Sequence, residues 1–308
     1  SGLCDLTIGK DALKTISGAA SEEVKVTTSK VEASTLSEDA KKVVGSHPVY
    51  EFSVTSGGKT ISEFGGTVTA SLPYTPAAGE DPKAIVIYYI AADGTLTMVP
   101  DAQYDAATGR VVFTTMHFST YAVGYNKVSF SDVADTAWYS EAVSYLAARG
   151  ITSGTTTTTF GADTVLTRGQ FITMLLKAYG VAPNTNFGDN FADAGNTYYT
   201  GYLASAKQLG ISDGIGGNLF APNKAVTRQE MFTMLYNALK AIDKQPSGTS
   251  GKALSDFSDA SAVASWATDA MNELAKTGTI SGNGGKLSPK KTTTRAEMAQ
   301  VLYNLLGK

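Results

Sequence analysis

Three Thr-Arg pairs carry side chains that can do chemistry, and each pair opens a segment with a helical pattern. They are Thr167-Arg168, Thr227-Arg228 and Thr294-Arg295. Arginine presents a planar fork of N–H groups that matches a carboxylate in two places. An arginine one position inside a helix also lies beside the free N–H groups and the positive dipole end of that helix. The pattern predicts three anion-binding positions, and a surface ion pair with a nearby acid is the alternative at each.

Other landmarks precede each Thr-Arg pair, always in the same order. Each unit opens on Phe-x-Asp, at Phe130, Phe191 and Phe257. An aromatic residue follows seven to nine positions later, and a Gly-x-x-x-Gly step follows the aromatic residue. The remaining candidate residues are the acids Asp132, Asp193 and Asp259, the aromatics Trp138, Tyr198 and Trp266, and the second glycines Gly154, Gly214 and Gly282. Four landmarks in one order, three times over, indicate an internal repeat.

The elements that must position these residues are pairs of helices. Thr227 and Glu230 have the spacing of a capping box, in which the threonine caps the helix and the acid reaches back. Thr294 and Glu297 repeat this spacing, and Thr167 with Gln170 is a version with glutamine. Each following helix carries one apolar stripe that a single two-helix unit cannot bury. We therefore expect the three units to pack on one core, with linkers at residues 181–185 and 244–251.

This arrangement resembles the S-layer homology (SLH) family, over about 180 of the 308 residues. The resemblance implies a pseudo-threefold trefoil of three repeats with an all-α core and ligand grooves between neighbouring repeats. The implied ligand is a secondary cell-wall polysaccharide, often carrying pyruvate ketals on N-acetylmannosamine. It also implies a location on the bacterial cell wall or S-layer, where other S-layer subunits are candidate partners.

Each landmark has a role that suits this ligand class and a plainer alternative. A pyruvate ketal presents a carboxylate to the arginines, the aromatic faces can stack on sugar rings, and the acids can accept hydrogen bonds from hydroxyls. The second glycines can let backbone amides approach the ligand closely. The alternatives are core aromatics at helix starts, acids that cap turns, and glycines at helix ends.

The three repeats are unequal in sequence. Repeat 1 has Gly169 in its Thr-Arg segment, a run of threonines at 155–159, and no counterpart of Pro222 or Pro289. Repeat 3 has Leu287 where the other repeats have phenylalanine. We expect repeats 2 and 3 to bind better than repeat 1, and three grooves on one polymer to add avidity.

The N-terminal half has the pattern of short strands separated by turns. Alternating or continuous apolar runs predict strands at 24–28, 49–54, 66–72, 84–90, 110–114 and 119–123, with short helices at 10–16 and 37–44. These elements predict an all-β, sandwich-like domain. We expect a multidomain chain, with the β domain at 1–124 and the repeats at 127–180, 188–242 and 253–308.

The β half contains one motif with a chemical interpretation. His117-Phe118-Ser119 is similar to the self-cleavage step of ZU5-type domains, in which the Phe–Ser bond breaks by an N-to-O acyl shift. A histidine is the usual base for activating a serine hydroxyl. The plainer interpretation is a strand with a partly exposed histidine beside a small polar residue. Autoproteolysis at Phe118–Ser119 is therefore an alternative to a protein without catalytic activity.

Composition narrows the function classes. The net charge is −3 and no Lys/Arg run is present, which argues against nucleic acid as a partner. No apolar stretch reaches the roughly 18 residues of a membrane span. The chain has one cysteine, Cys4, no metal-ligand pattern and no cofactor motif, so we expect no cofactor. Because the sequence begins at Ser1-Gly2-Leu3 without a signal peptide, we expect an export signal upstream, and an upstream catalytic domain is a further alternative.

Overall fold

A computed structural model describes residues 2–186, 188–249 and 252–306. The ends of the predicted domains at residues 1 and 307–308, and positions 250–251 of the predicted linker, lie outside these residues. The chain divides into two compact units. The first comprises Ser1–Ser129 with Ala147–Gly150, and the second comprises Phe130–Leu146 with Ile151–Lys308.

The first unit contains two antiparallel sheets, one ordered β1-β5-β9-β8 and the other β2-β3-β10-β6-β7 with β4 paired to β3. The strands are β1 Asp5–Ile8, β2 Val24–Val31, β3 Val49–Ser56, β4 Lys59–Thr60, β5 Glu63–Pro73, β6 Ile85–Ile90, β7 Leu96–Val99, β8 Gln103–Asp105, β9 Arg110–His117 and β10 Thr120–Tyr125. Two helices accompany them, α1 Lys10–Ala19 and α2 Glu38–Val44.

The core of the first unit lies between the two sheets. Alternate residues of β3, among them Phe52 and Val54, face the same apolar cluster as Leu72 of β5 and Phe113 of β9. This two-sheet core confirms the sandwich-like expectation for the N-terminal half. The continuous apolar run in β6 is buried on both faces of its sheet. On the face away from the core between the sheets, Ile90 of β6 packs in one cluster with Val44 of α2.

The second unit holds six α-helices among its described residues, except that the last two residues of the first of them belong to the first unit. They are α3 Ser140–Ala148, α4 Arg168–Ala178, α5 Thr200–Gln208, α6 Arg228–Ala241, α7 Thr268–Lys276 and α8 Arg295–Leu306. The three predicted capping boxes are confirmed at α4, α6 and α8. No helix among the described residues is long and apolar enough to cross a bilayer.

The expectation of an all-α C-terminal half is wrong. Helices cover fewer than half of the residues from 130 onwards, and extended segments of different repeats pair through isolated bridges. These segments carry threonine and valine, whose β-branched side chains favour extended backbone over helix. Their buried N–H and C=O groups still need partners, and they find them in the neighbouring repeats. The bridges are Val165 to Thr294, Thr167 to Ala225 and Thr227 to Thr292.

At the centre of the second unit, three backbone hydrogen bonds form a closed cycle. Leu166 N–H donates to the Thr293 carbonyl at 2.8 Å, Val226 N–H donates to the Leu166 carbonyl at 3.0 Å, and Thr293 N–H donates to the Val226 carbonyl at 3.1 Å. All three residues are fully buried. Each repeat therefore donates to one neighbour and accepts from the other, and the cycle needs all three repeats.

Thr293 supplies a hydroxyl at a position where the other two repeats have aliphatic side chains. Its Oγ1 is buried and has no hydrogen-bond partner among the described residues. An unpaired buried hydroxyl costs about 1–3 kcal/mol. We expect Thr293→Val to raise the free energy of unfolding of the second unit by about 1 kcal/mol, measured by urea denaturation.

The adjacent Thr294 is the matched control, because its Oγ1 accepts the Glu297 N–H and caps α8. Thr294→Val should lower the free energy of unfolding by about 1 kcal/mol. If both substitutions destabilise equally, the unpaired hydroxyl is not a liability and this account of position 293 fails.

Candidate functional site

The opening acid of each repeat holds a loop of its own repeat. Both carboxylate oxygens accept backbone N–H groups of two successive residues just before the next Thr-Arg segment. The contacts are Asp132 to Phe160 and Gly161 at 2.6 and 2.7 Å, Asp193 to Phe220 and Ala221 at 2.8 and 2.7 Å, and Asp259 to Leu287 and Ser288 at 2.8 and 2.8 Å. The acids thus perform a turn-fixing task, which was the plainer alternative for them.

The three arginines lie at the junctions between repeats. The Nε of each donates to a carbonyl on the loop that the acid of the next repeat holds. The pairs are Arg168 with Phe220 at 2.8 Å, Arg228 with Leu287 at 2.8 Å, and Arg295 with Phe160 at 3.0 Å. Repeat 1 reaches repeat 2, repeat 2 reaches repeat 3, and repeat 3 returns to repeat 1. Each guanidinium is therefore part of the packing between repeats as well as a candidate ligand group.

Aromatic rings support two of the arginines. The guanidinium carbon of Arg168 lies 4.6 Å from the centre of the Phe220 ring, and that of Arg295 lies 4.7 Å from the Phe160 ring. Both side chains are buried. Leu287 offers no such ring to Arg228, which instead lies 5.3 Å from Phe232 of its own helix and is only half-buried.

The remaining guanidinium nitrogens differ among the junctions. Nη1 of Arg168 lies 3.1 Å from Oε1 of Glu230, an ion pair between repeats. Nη2 of Arg295 donates to the Ser153 carbonyl. Among the described residues, the Arg228 guanidinium makes no hydrogen bond other than that from its Nε to the Leu287 carbonyl. Burial lowers the pKa of all three guanidinium groups, but arginine stays protonated at neutral pH, so each keeps its positive charge.

The three candidate aromatics are exposed, so they are not core residues. The exposed fractions are 63 % for Trp138, 63 % for Tyr198 and 56 % for Trp266. Each stands immediately before or within the turn that leads into the first helix of its repeat. Partial loss of hydration raises the pKa of the largely exposed Tyr198, and the charge of nearby Arg295 opposes that shift. An exposed aromatic face of repeat 2 therefore lies near the arginine of repeat 3.

The second glycines of the Gly-x-x-x-Gly steps have a reason internal to the fold. A Cβ on Gly214 or Gly282 would collide with the carbonyl oxygen of Leu219 or Lys286 in the same loop. It would also lie 2.9 Å from the opening phenylalanine, and both residues have positive φ angles, +81° and +67°. A Cβ on Gly154 would collide with its own loop in the same way. The contacts within each loop account for these glycines, and their geometry gives no support to a close approach of the backbone to a ligand.

The His117-Phe118-Ser119 motif lies at the end of β9. Phe118 is buried between Phe52 and Phe64. The His117 ring contacts the hydroxyl of Tyr121 at 3.4 Å, and no hydrogen bond between this ring and the Ser119 hydroxyl occurs in the described part of the chain. The base and the nucleophile of a self-cleavage step are thus not joined by a hydrogen bond.

Sequence reasoning missed two groups at the junctions. It identified Glu230 only as a capping residue, whereas its other oxygen pairs with Arg168 of the preceding repeat. It also missed that Phe160 and Phe220 support the arginines of other repeats. The one available signal was the recurrence of phenylalanine at the same place in repeats 1 and 2.

Comparison with known families now decides what the repeats are. The family model of the S-layer homology domain matches residues 129–172, 190–232 and 256–299. The C-terminal half consists of three tandem S-layer homology domains. These domains, and the S-layer proteins among the relatives of the chain, identify an extracellular protein associated with the bacterial cell wall.

The similar proteins include surface-layer proteins and enzymes. The chain is 29 % identical to the S-layer protein sap of Bacillus anthracis over 56 % of this chain and 21 % of that protein. It is 31 % identical to an exoglucanase of Acetivibrio thermocellus over 59 % of this chain and 16 % of the enzyme. An amylopullulanase of Thermoanaerobacterium thermosulfurigenes is 29 % identical over 81 % of this chain and 13 % of the enzyme. The chain spans about a fifth or less of the length of these relatives.

The contacts of Asp259 predict a pH dependence of stability. Burial alone would raise the pKa of this carboxyl group, but the N–H donors of Leu287 and Ser288 outweigh burial and lower it. A depressed pKa in the folded state means that the stabilisation is present above the unfolded-state pKa of about 3.9 and is lost as the pH falls. We expect Asp259→Asn to destabilise the second unit by about 1 kcal/mol at pH 7, and by less at pH 3.

Urea unfolding at the two pH values measures this difference. Asp213→Asn is the control, because Asp213 is an exposed acid, and its substitution should change stability by less than about 0.5 kcal/mol. An Asp259→Asn effect that is equal at pH 7 and pH 3 would contradict the proposed role of the carboxylate.

Proposed function

We propose that the SLH domains anchor this protein non-covalently to the bacterial cell wall by binding secondary cell-wall polysaccharide in grooves between repeats. The observation that carries the proposal is the recurrence of an arginine at every junction between repeats, in a unit whose turns expose three large aromatic faces. A guanidinium suits the carboxylate of a pyruvylated sugar, and an exposed aromatic face suits the sugar ring. This chain acts in anchoring without catalysis of its own.

Repetition supports anchoring rather than capture of a small molecule. Three similar junctions on one compact unit can engage one long polymer, so the second and third contacts form at high effective concentration. A modest affinity at each junction is then enough for stable attachment. The partly structural use of each arginine is compatible with such modest affinity.

A second candidate function is to anchor an exported enzyme whose catalytic domain lies elsewhere in a longer protein. The similarity to an amylopullulanase favours it, because the matched 255 residues exceed the length of the three repeats and so include part of the N-terminal unit. In this case the β unit would be a module that accompanies the anchor. The binding task of the repeats is the same in both candidates.

Co-sedimentation with purified wall sacculi tests the anchoring function. The protein should bind sacculi that carry the polysaccharide and lose binding when the polysaccharide is stripped. Combined Arg228→Ala and Arg295→Ala substitutions should weaken binding by about 1.5–3 kcal/mol for each groove whose arginine contacts the ligand. Thermal unfolding of the variant serves as the control for folding. Binding that survives stripping of the polysaccharide, or is unchanged in the folded double variant, would overturn the proposal.

Intact mass tests the autoprocessing alternative. No hydrogen bond among the described residues links the His117 ring to the Ser119 hydroxyl. We therefore expect that protein incubated for a long time in solution still runs as one species of 32.1 kDa on a denaturing gel. Two fragments that separate between Phe118 and Ser119 would instead establish self-cleavage. Ser119→Ala would then have to abolish the fragments.

A further inference from the structure

We propose that the three junctions are not equivalent and that Arg228 is the main binding site for the carboxylate of the ligand. At Arg168 the carboxylate of Glu230 already occupies the corresponding position. This inference rests on the proposed polysaccharide binding and specifies which arginine receives the ligand. It follows from what each guanidinium already bonds. A carboxylate that binds in two places needs two free N–H groups on one side of the guanidinium fork.

Arg168 is neutralised by a carboxylate of the protein itself. Its Nη1 lies 3.1 Å from Oε1 of Glu230, and the two side chains are only 3 % and 13 % exposed. The second oxygen, Oε2, accepts the backbone N–H and the hydroxyl of Thr227 at 2.8 and 2.7 Å, which holds the acid in place. Lys224 also lies 3.6 Å from Oε1. A ligand carboxylate would have to displace a chemically identical group that is already well bound.

Arg295 has no competing acid but has committed much of its fork. The capping residue at the equivalent place is Gln170, which carries no charge. However, Nε donates to the Phe160 carbonyl, and Nη2 donates to the Ser153 carbonyl and lies 3.5 Å from the Thr152 hydroxyl. With the Phe160 ring against its face, this guanidinium has little freedom to receive a ligand.

Arg228 has neither an acid bonded to its guanidinium nor protein hydrogen bonds to its terminal nitrogens among the described residues. The equivalent acid, Glu297, pairs with Lys291 at 3.1 Å and with the Thr294 N–H at 3.1 Å. Its negative charge acts on Arg228, but Glu297 makes no hydrogen bond or ion pair with that guanidinium in the described part of the chain. Neither terminal nitrogen of Arg228 has a partner among the described residues, and neither is among the buried unpaired polar atoms of these residues. Both nitrogens therefore reach solvent on a half-buried side chain whose Nε bond to Leu287 sets its direction.

Two single substitutions test this inference on the full chain. Arg228→Lys keeps the charge but removes the fork, so affinity for polysaccharide-bearing sacculi should fall about tenfold. Glu230→Gln removes the competing carboxylate from Arg168 and should raise affinity several-fold. Glutamine can keep the capping box, as Gln170 does at α4. A gain of binding cannot arise from misfolding, so this variant keeps the test sharp if Arg228→Lys is unstable.

Two controls separate the possible results. Glu273→Gln removes one negative charge from an exposed pair with Lys276 and should leave the affinity unchanged. If wild-type protein does not bind, or binds stripped sacculi equally well, the proposed function itself fails. Wild-type binding that depends on the polysaccharide supports anchoring. The inference alone fails if the affinity of Arg228→Lys for polysaccharide-bearing sacculi equals that of wild type. It also fails if the affinity of Glu230→Gln is no higher than that of Glu273→Gln.

Discussion

The closed cycle of backbone hydrogen bonds through Leu166, Val226 and Thr293 is the constraint on which the unit with the three repeats depends. In each repeat the residue after the cycle is the threonine that caps the second helix, and the residue after that is the arginine. The cycle therefore fixes where three helices begin, and with them where three guanidinium groups start. Because each strand segment both donates and accepts, the loss of any one repeat would leave unpaired buried groups in the other two.

The same geometry explains why these arginines serve two purposes that compete. A buried guanidinium must be hydrogen-bonded, and the carbonyl on the loop of the next repeat meets this need while it joins the repeats. Each further protein contact makes the side chain more secure and less available to a ligand. Phe160 and Phe220 shift the balance towards packing, whereas Leu287 leaves Arg228 half-buried and less engaged. The residue on the loop that each arginine contacts is thus one source of the difference between junctions, beside the further hydrogen bonds and the ion pair of each guanidinium.

Local patterns in the sequence predicted local structure well. The capping boxes were predictable because Thr227 and Glu230 are three residues apart, and the burial of β6 was predictable from its unbroken apolar run. The extended segment around Thr167 was not predictable, because its partners Ala225 and Thr294 belong to the other two repeats, far along the chain, and leave no periodic signal. The exposure of Trp138 also depends on neighbours distant in sequence, so core and surface interpretations were equally consistent with the sequence.

Under the proposed function, the pair of Arg168 with Glu230 is a site that remains in the fold without binding a ligand. An ion pair buried between repeats contributes little net stability, because desolvation of both charges offsets their attraction. Removal of either partner alone is nevertheless costly, since it strands the other charge in a poorly solvated place. A carboxylate that entered this junction by way of the capping box would therefore be retained for structural reasons even as it blocks the arginine. Retention of Glu230 in this way explains why the junction at Arg168 differs from the other two.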